Sequence, residues 1–302
     1  MPIISSFILP HGALALNPNK YPQYAELIEI YKSANQVADE VYSLKPDLIL
    51  LMTPHGISTT YSYGIYMNKQ ASGTAEWENE WKEYKTKVQL SQEKSKELLL
   101  FLKEKNKFLF EGIVGYSEDE DIPLRWGEVI PFWFLQQPYK NNTMIPEDFP
   151  KCIIMSMPRK RLDQSDTMIE ECIEIGNSIS ELYLNSNLKV VIVVSGDLAH
   201  THNVPTIKMF NNAIPNEGDN ADCYDKSIEN WAYDPINNEK CLYEAGKVVK
   251  TYLSCGYVGI CILHGILTHL KKNSREIKGN VLCNLHPTYY GMMVARFVIN
   301  NI

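Results

Sequence analysis

The sequence predicts an α/β protein in which a central, largely parallel or mixed sheet is flanked by helices. Hydrophobic runs typical of buried strands alternate with segments whose apolar residues recur at helical spacing, beginning with a strand at 3–9, a helix at 24–44 and a strand at 47–52. A strand, helix and strand over this distance form a βαβ unit, whose strands are parallel. Because no internal repeat or low-complexity linker interrupts the chain, we expect residues 1–302 to form a single domain.

The same criteria predict further elements along the chain. Strands are predicted at residues 61–67, 108–114, 150–155, 189–194, 281–285 and 292–299. Helices are predicted at residues 92–103, 129–135, 165–183, 222–231, 238–253 and 258–270. The acidic segment 117–121 is interpreted as a solvated loop, because its spacing matches no EF-hand.

Composition narrows the possible classes of function. The 302 residues carry a net charge of −7 at pH 7 and contain no Lys/Arg cluster large enough for a basic stripe, which argues against a nucleic-acid partner. No apolar stretch approaches the roughly 20 residues of a membrane span, and the N-terminus lacks the charged and apolar regions of a secretion signal. We therefore expect a soluble, cytoplasmic protein without a membrane partner.

The cysteines point to the same compartment. There are seven, an odd number, and they have no paired CxxC spacing between Cys152 and Cys283. This distribution argues against a disulfide framework and against a structural zinc ribbon. We expect reduced thiols, most of them buried as small apolar side chains.

Three of the apolar runs end on a histidine, namely His11, His55 and His200. The first two histidines lie in the same Pro-His-Gly triplet, where proline fixes the backbone and glycine permits a sharp turn after the imidazole. The carboxyl ends of parallel strands meet at one edge of a sheet, and ligands bind there in open α/β folds. One histidine at a strand end is usually a turn residue, but three in equivalent positions predict a site for metal binding or acid–base chemistry.

The segment that ends on His200 contains two further candidates. Asp197 lies in a turn-prone Ser-Gly-Asp sequence, where it either orients an imidazole by accepting its N–H or caps the following turn. His202 follows His200 by two residues. It is either an exposed residue or part of the site, where it supports a ligand side chain or contacts the substrate.

At these residues the chain resembles the catalytic subunits of class III extradiol ring-cleavage dioxygenases, the LigB-like superfamily, which also contains the Memo proteins. The matching segments run in family order and span essentially the whole chain: residues 8–12, 51–56, 195–200, 254–267 and 291–297. The resemblance implies that His11 and His55 are ligands of a non-haem Fe(II) ion. It also implies that His200 is the acid/base during attack on a bound catecholate, for which a near-neutral pKa is suited.

The chain departs from the ring-cleaving pattern at two positions. Cys255, before Gly256, stands where ring-cleaving members have a glutamate ligand, as in Memo-like members, and a thiolate favours zinc or copper over Fe(II). Trp126 stands where a substrate-contacting histidine is expected, and it can stack on an aromatic substrate but cannot exchange a proton there. If Cys255 is a buried thiol without a metal, Glu244 is the candidate for a substitute carboxylate, although the favoured interpretation of Glu244 is an exposed helix residue.

Two functions remain open at this point. The first is a metal-dependent oxidoreductase that holds one divalent metal ion with His11, His55 and Cys255, uses His200 as base and adds dioxygen to a small aromatic substrate. The second is a Memo-like protein that binds a metal or a peptide in a redox or signalling role and cleaves no ring. Either protein could form a homo-oligomer.

Overall fold

Eleven strands form two sheets in the part of the chain that the computed structural model describes, residues 2–139, 146, 148–202 and 221–301. The strands are β1 (Ile3–Leu9), β2 (Leu48–Thr53), β3 (Tyr63–Tyr66), β4 (Gln70–Thr74), β5 (Lys85–Gln89), β6 (Phe110–Ile113), β7 (Ile122–Leu124), β8 (Lys151–Ser156), β9 (Val190–Ser195), β10 (Arg275–Leu285) and β11 (Met292–Asn301). The large sheet has eight strands in the order β10-β11-β1-β9-β2-β8-β3-β6.

The middle of the large sheet is parallel, as the predicted βαβ unit requires. Strands β1, β9, β2 and β8 run side by side in the same direction. Strand β11 pairs with β1 in the antiparallel direction, and β3 does so with β8, so that the sheet as a whole is mixed. The four parallel strands therefore end at one common edge, with β9 between β1 and β2.

Helices cover both faces of this sheet. They are α1 (Glu26–Leu44), α2 (Gln92–Lys105), α3 (Trp126–Gln136), α4 (Arg161–Gln164), α5 (Ile169–Leu184), α6 (Ala221–Tyr233), α7 (Glu239–Tyr252) and α8 (Tyr257–Lys272). Strand β9 contributes Val190, Ile192 and Val194 to the core beneath α2 and α5 to α8, and its intervening Val191 and Val193 to the core beneath α1 and α3. A continuous apolar strand buried on both faces is expected of a parallel sheet between two helical layers.

The predicted α/β class is confirmed, and the described residues form one α/β domain with a mixed eight-stranded sheet. The sequence interpretation missed a second sheet of three short strands, in the order β5-β4-β7. Strand β7 has only three residues, and β4 is half-buried at four of its five positions, so neither carries a clear period-two pattern. This small sheet packs over α3 beside the site described below.

Helix ends account for most of the remaining differences. Helix α3 begins at Trp126 rather than at the predicted residue 129, and the Glu128 carboxylate accepts the Arg125 backbone N–H at 3.1 Å, as in a capping box. Helix α5 begins at Ile169, after a separate 3-10 turn at Ser165–Thr167. Within the described ranges, no helix combines the length and apolar character that crossing a membrane would require.

Candidate metal centre

The three histidines predicted to converge do so at the carboxyl edge of the parallel strands. His11 follows β1, His55 follows β2, and His200 follows β9, the strand between them. The rings of His11 and His55 meet edge to face, with centroids 4.7 Å apart. All three histidines line one cavity, so the strand order brings together residues that are up to 189 positions apart in the sequence (200 − 11).

Hydrogen bonds fix the tautomer of His11. Its Nδ1 lies 2.8 Å from the Ser195 Oγ, and that hydroxyl donates its own hydrogen to the Gly127 carbonyl. Because the hydroxyl has only one hydrogen to donate, it must accept the N–H of His11 Nδ1. The other ring nitrogen, Nε2, is therefore left with a lone pair, which is the state a metal ligand needs.

Cys255 completes a compact set of three donor atoms. It immediately precedes the turn into α8, and its Sγ lies 3.3 Å from His11 Nε2. One ligand atom from each of His11, His55 and Cys255 falls within 4.8 Å of the other two. In a tetrahedral site with ordinary metal–nitrogen and metal–sulfur bonds, N and S ligand atoms are about 3.6 Å apart, so this arrangement fits one metal ion.

Burial keeps these groups uncharged when no metal is bound. It lowers the pKa of His11 well below its usual value and that of His55 to about 3, with the neighbouring cationic groups adding to the effect. The same burial raises the pKa of the Cys255 thiol to about 12. Neutral imidazoles are ready to bind a cation, whereas the thiol must release its proton to do so.

Asp197 contacts two of the candidate ligands through backbone N–H groups. One carboxylate oxygen accepts the His11 backbone N–H at 3.0 Å, and the other lies 3.5 Å from His11 Nε2. Since His11 is neutral and burial raises the pKa of Asp197 to about 7, this contact is not an ordinary ion pair. The backbone N–H of Asp197 also points at the Cys255 sulfur, 3.3 Å away. Asp197 therefore positions His11 and Cys255 together, and it is the carboxylate closest to the site in the described chain.

His200 presents one free ring nitrogen to the cavity. Its Nδ1 lies 2.9 Å from the Leu198 carbonyl, which can only accept, so Nδ1 carries the hydrogen and Nε2 is unprotonated. Burial lowers the pKa of His200 to about 4, below the near-neutral value expected from the sequence, so the ring is neutral at pH 7. A neutral imidazole with a free Nε2 is able to accept a proton from a molecule in the cavity.

The cavity of about 310 Å³ beside the histidines is walled largely by aromatic rings. Trp126 lies 5.1 Å from the His55 ring and 4.7 Å from the Trp77 ring, centroid to centroid, and Tyr290 packs 6.0 Å from His200. The residue after Trp126 is Gly127, where a Cβ would approach the His55 Cβ to 2.7 Å. Glycine at 127 thus lets the start of α3 pack directly against a candidate ligand.

Arg161 is a residue of this site that the sequence interpretation missed. It lies in α4, beyond the carboxyl end of β8, and its guanidinium donates to the Pro54 carbonyl next to His55. Its positive charge contributes to the lowered pKa of all three histidines. The sequence could have indicated Arg161, because β8 is the fourth parallel strand and ends at the same edge of the sheet. It was missed because β8, unlike the other three strands, is not followed by a histidine.

Other candidates lie outside this cavity. His202 is only 4% exposed, so the alternative that it lies exposed is wrong, and it contacts Asp225 and His286 and is not part of the cavity lining. Glu244 lies in α7, half-exposed and 3.4 Å from Lys240, so it is not positioned as a substitute ligand.

Fold and site together define an α/β protein with a candidate metal centre at the carboxyl edge of its parallel strands. A family model described as the catalytic LigB subunit of aromatic ring-opening dioxygenase matches residues 6–285. The chain belongs to this family, which confirms the resemblance read from its motifs and suggests an oxygenase of the ring-opening type. No curated protein matches the chain.

Proposed function

We propose that this protein is a metal-dependent oxidoreductase that opens the ring of a small catechol-type substrate with dioxygen. The observation that supports this most directly is the convergence of His11, His55 and Cys255 on one side of an aromatic-walled cavity, with the free Nε2 of His200 on the same cavity. A bound metal ion would supply the Lewis acidity and the electron transfer that such a reaction needs.

The side chains around the cavity have separate roles in this proposal. His11 and His55 hold the ion through neutral imidazoles, and Asp197 and Ser195 keep His11 in the required orientation and tautomer. His200 accepts a proton from a substrate hydroxyl at Nε2. Trp126, backed by Trp77, packs against the substrate ring and excludes water from it.

Arg161 adds a fixed positive charge to this arrangement. In the described part of the chain no carboxylate forms an ion pair with its guanidinium, and its Nε is buried without a hydrogen-bond partner. A buried cation is costly unless an anion compensates it. We infer that Arg161 stabilises the negative charge of a metal-bound Cys255 thiolate or of a deprotonated catechol.

Cys255 supports a second candidate function. Its sulfur lies beside His11 Nε2, and a thiolate ligand favours zinc or copper over the Fe(II) that activates dioxygen. A Memo-like role, in which the centre binds a metal or a peptide without ring cleavage, is therefore the alternative. The two functions predict different behaviour toward catechols.

Reconstitution under anaerobic conditions separates the two functions. Protein loaded with Fe(II) and then exposed to oxygen and a panel of catechols should consume oxygen and form a yellow ring-fission product. A His200→Gln variant should retain the metal but lose most turnover, since general acid–base catalysis typically contributes about a hundredfold or more.

The control is a His11→Ala/His55→Ala variant, which should lose the metal ion of this centre, one equivalent per chain, together with all turnover. If wild-type protein binds zinc or copper tightly, loses one equivalent of it in the double variant and turns over no catechol, the ring-cleavage proposal is wrong and the second function is favoured. Equal metal content in wild type and the double variant would mean that His11 and His55 hold no metal ion, and both proposed functions would then be wrong about this centre.

A further inference from the structure

A second group of metal-ligand side chains lies outside the cavity, at His202, Asp222 and His286. His202 follows β9, Asp222 lies in the first turn of α6, and His286 follows β10. One oxygen of Asp222 is 3.2 Å from His202 Nδ1 and 3.1 Å from His286 Nε2. The group opens onto a groove of about 540 Å³, whose lining includes both Asp222 and His286.

Asp225 sets the tautomer of His202. This carboxylate is buried, and its two oxygens accept the Ala199 backbone N–H at 2.9 Å and the His202 Nε2–H at 2.8 Å. A histidine whose far nitrogen donates to a buried carboxylate is the usual arrangement behind a metal-bound imidazole. In the neutral ring the lone pair of Nδ1 then faces the Asp222 oxygen. That contact is favourable only if a proton or a metal ion lies between the two atoms.

The distances suit a small ion with nitrogen and oxygen ligands. Around tetrahedral zinc, with bonds of about 2.1 Å, neighbouring ligand atoms are about 3.4 Å apart. The two nitrogen–oxygen separations of 3.1 and 3.2 Å are close to this value. Three protein ligands would leave the fourth position to water, on the side of the open groove.

Binding requires one local movement. The rings of His202 and His286 are stacked, with centroids 3.9 Å apart and planes 4° apart, whereas a ligated ion lies in the plane of each imidazole. His202 is held by Asp225 and by its backbone N–H to the Tyr289 carbonyl, so His286 must turn. Its side chain is 39% exposed, and no described residue hydrogen-bonds to its Nδ1, so among the described residues only the Asp222 contact and the stacking itself oppose the turn.

We propose that His202, Asp222 and His286 form a second site, separate from the cavity, which binds one divalent transition-metal ion of the zinc type. The site joins the segment that carries His200 to the loop that carries Tyr289 and Tyr290. Both tyrosines line the cavity, so the second ion stabilises the position of one wall of the candidate active site and takes no part in its chemistry. This proposal does not depend on the function proposed above.

A zinc titration tests the proposal with the first centre removed. In a His11→Ala/His55→Ala background, Zn²⁺ competed against a chromophoric chelator should still bind with one equivalent per chain. Adding His286→Ala or Asp222→Asn should weaken that binding by at least about tenfold, since even residues behind a ligand contribute 10- to 100-fold to metal affinity. Both added changes are at partly exposed positions, so the fold should tolerate them.

The matched control is Asn230→Ala, which alters the same groove without removing a ligand and should leave zinc affinity unchanged. In the otherwise wild-type chain, His286→Ala should lower the zinc content from two equivalents to one, which provides a test that does not rely on the double variant. Absence of zinc binding in the double variant and a single equivalent in wild type would overturn the proposal. So would an equal loss of affinity in Asn230→Ala.

Discussion

The two histidine clusters differ in how far they are shielded from water. In the first, His11 and Cys255 are 3% and 8% exposed, and His11 lines an aromatic-walled cavity. In the second, the side chains of Asp222 and His286 are 60% and 39% exposed above the buried His202. Shielding strengthens electrostatic interactions and keeps water from reactive groups, so chemistry is expected at the first cluster and structural binding at the second.

The clusters also differ in what orients their ligands. Ser195 and Asp197, on and after one parallel strand, hold the ring and the backbone of His11. In the second cluster, Asp225 holds His202, whereas no described residue hydrogen-bonds to the His286 Nδ1. A rigid set of ligands selects one metal geometry, whereas a site with one mobile ligand closes only when the ion is present.

The largest effect is expected from Ser195→Ala. This change removes the acceptor of the His11 Nδ1–H, so the ring loses both its fixed orientation and its preferred tautomer. Metal affinity at the first cluster should fall by about 10- to 100-fold, the usual result of removing such a partner. The measurement is a chelator competition with Zn²⁺ on each cluster separately, with the other cluster disabled by His→Ala changes.

Ser156→Ala is the matched control for this experiment. Ser156 ends β8 at the same edge of the sheet, and its buried Oγ has no hydrogen-bond partner among the described residues, so its removal should leave the affinity unchanged. Zinc binding at the second cluster should not respond to either serine. An equal loss at both clusters would mean that Ser195 acts on the whole fold rather than on His11.

The sequence predicted the first cluster far better than the second, for a topological reason. Apolar runs locate parallel strands, and parallel strands end at one edge, so His11, His55 and His200 could be brought together without coordinates. Arg161 follows the fourth parallel strand but was missed, because it is set in a short helix and not at the strand end. Cys255 was assigned only through the family resemblance, since nothing in its local pattern separates it from a buried thiol.

The second cluster depends on contacts that no periodic pattern encodes. His202 comes from the segment after β9, Asp222 from the start of α6 and His286 from the residue after β10, and the two imidazoles stack because the segments after β9 and β10 meet in the fold. The three-stranded sheet escaped prediction for a similar reason, since β4 and β7 are too short or too irregular to show a clear alternation. Long-range packing between short elements is the part of this fold that single-sequence patterns do not predict.

An intermediate effect concerns the pH dependence of stability in the metal-free protein. Burial lowers the pKa of His200 from 6.5 to about 4 in the folded state. Between these values the unfolded chain binds a proton that the folded chain does not, so stability falls as the pH falls through this window. Removing the group in His200→Gln should reduce the slope of unfolding free energy against pH by about 1.4 kcal/mol per pH unit near pH 5.

Urea unfolding of chelator-treated protein at several pH values between 4.5 and 7 measures this slope. The comparison should be made between variants, because the raised pKa values of Asp197 and Glu128 act in the opposite direction in the same range. Ser156→Ala removes no titratable group and should keep the wild-type slope. An unchanged slope in His200→Gln would mean that His200 is solvated in the folded protein and is not the shielded base of the first cluster.

The smallest expected effect distinguishes substrate binding in the cavity from metal binding at the first cluster. Trp126→Leu removes the ring that faces His55 and Trp77, and the binding of nitrocatechol, followed by its absorbance, should weaken by about two- to tenfold, the usual contribution of one aromatic contact. Zinc affinity at both clusters should stay the same, since Trp126 offers no ligand atom.

Trp133→Leu, two turns further along α3 and outside the cavity lining, is the matched control and should bind nitrocatechol as wild type does. If both variants lose the same affinity, α3 has shifted as a whole and the aromatic wall does not recognise the ring. If neither loses any, the catechol does not occupy this cavity, and the shielding that distinguishes the first cluster serves a different ligand.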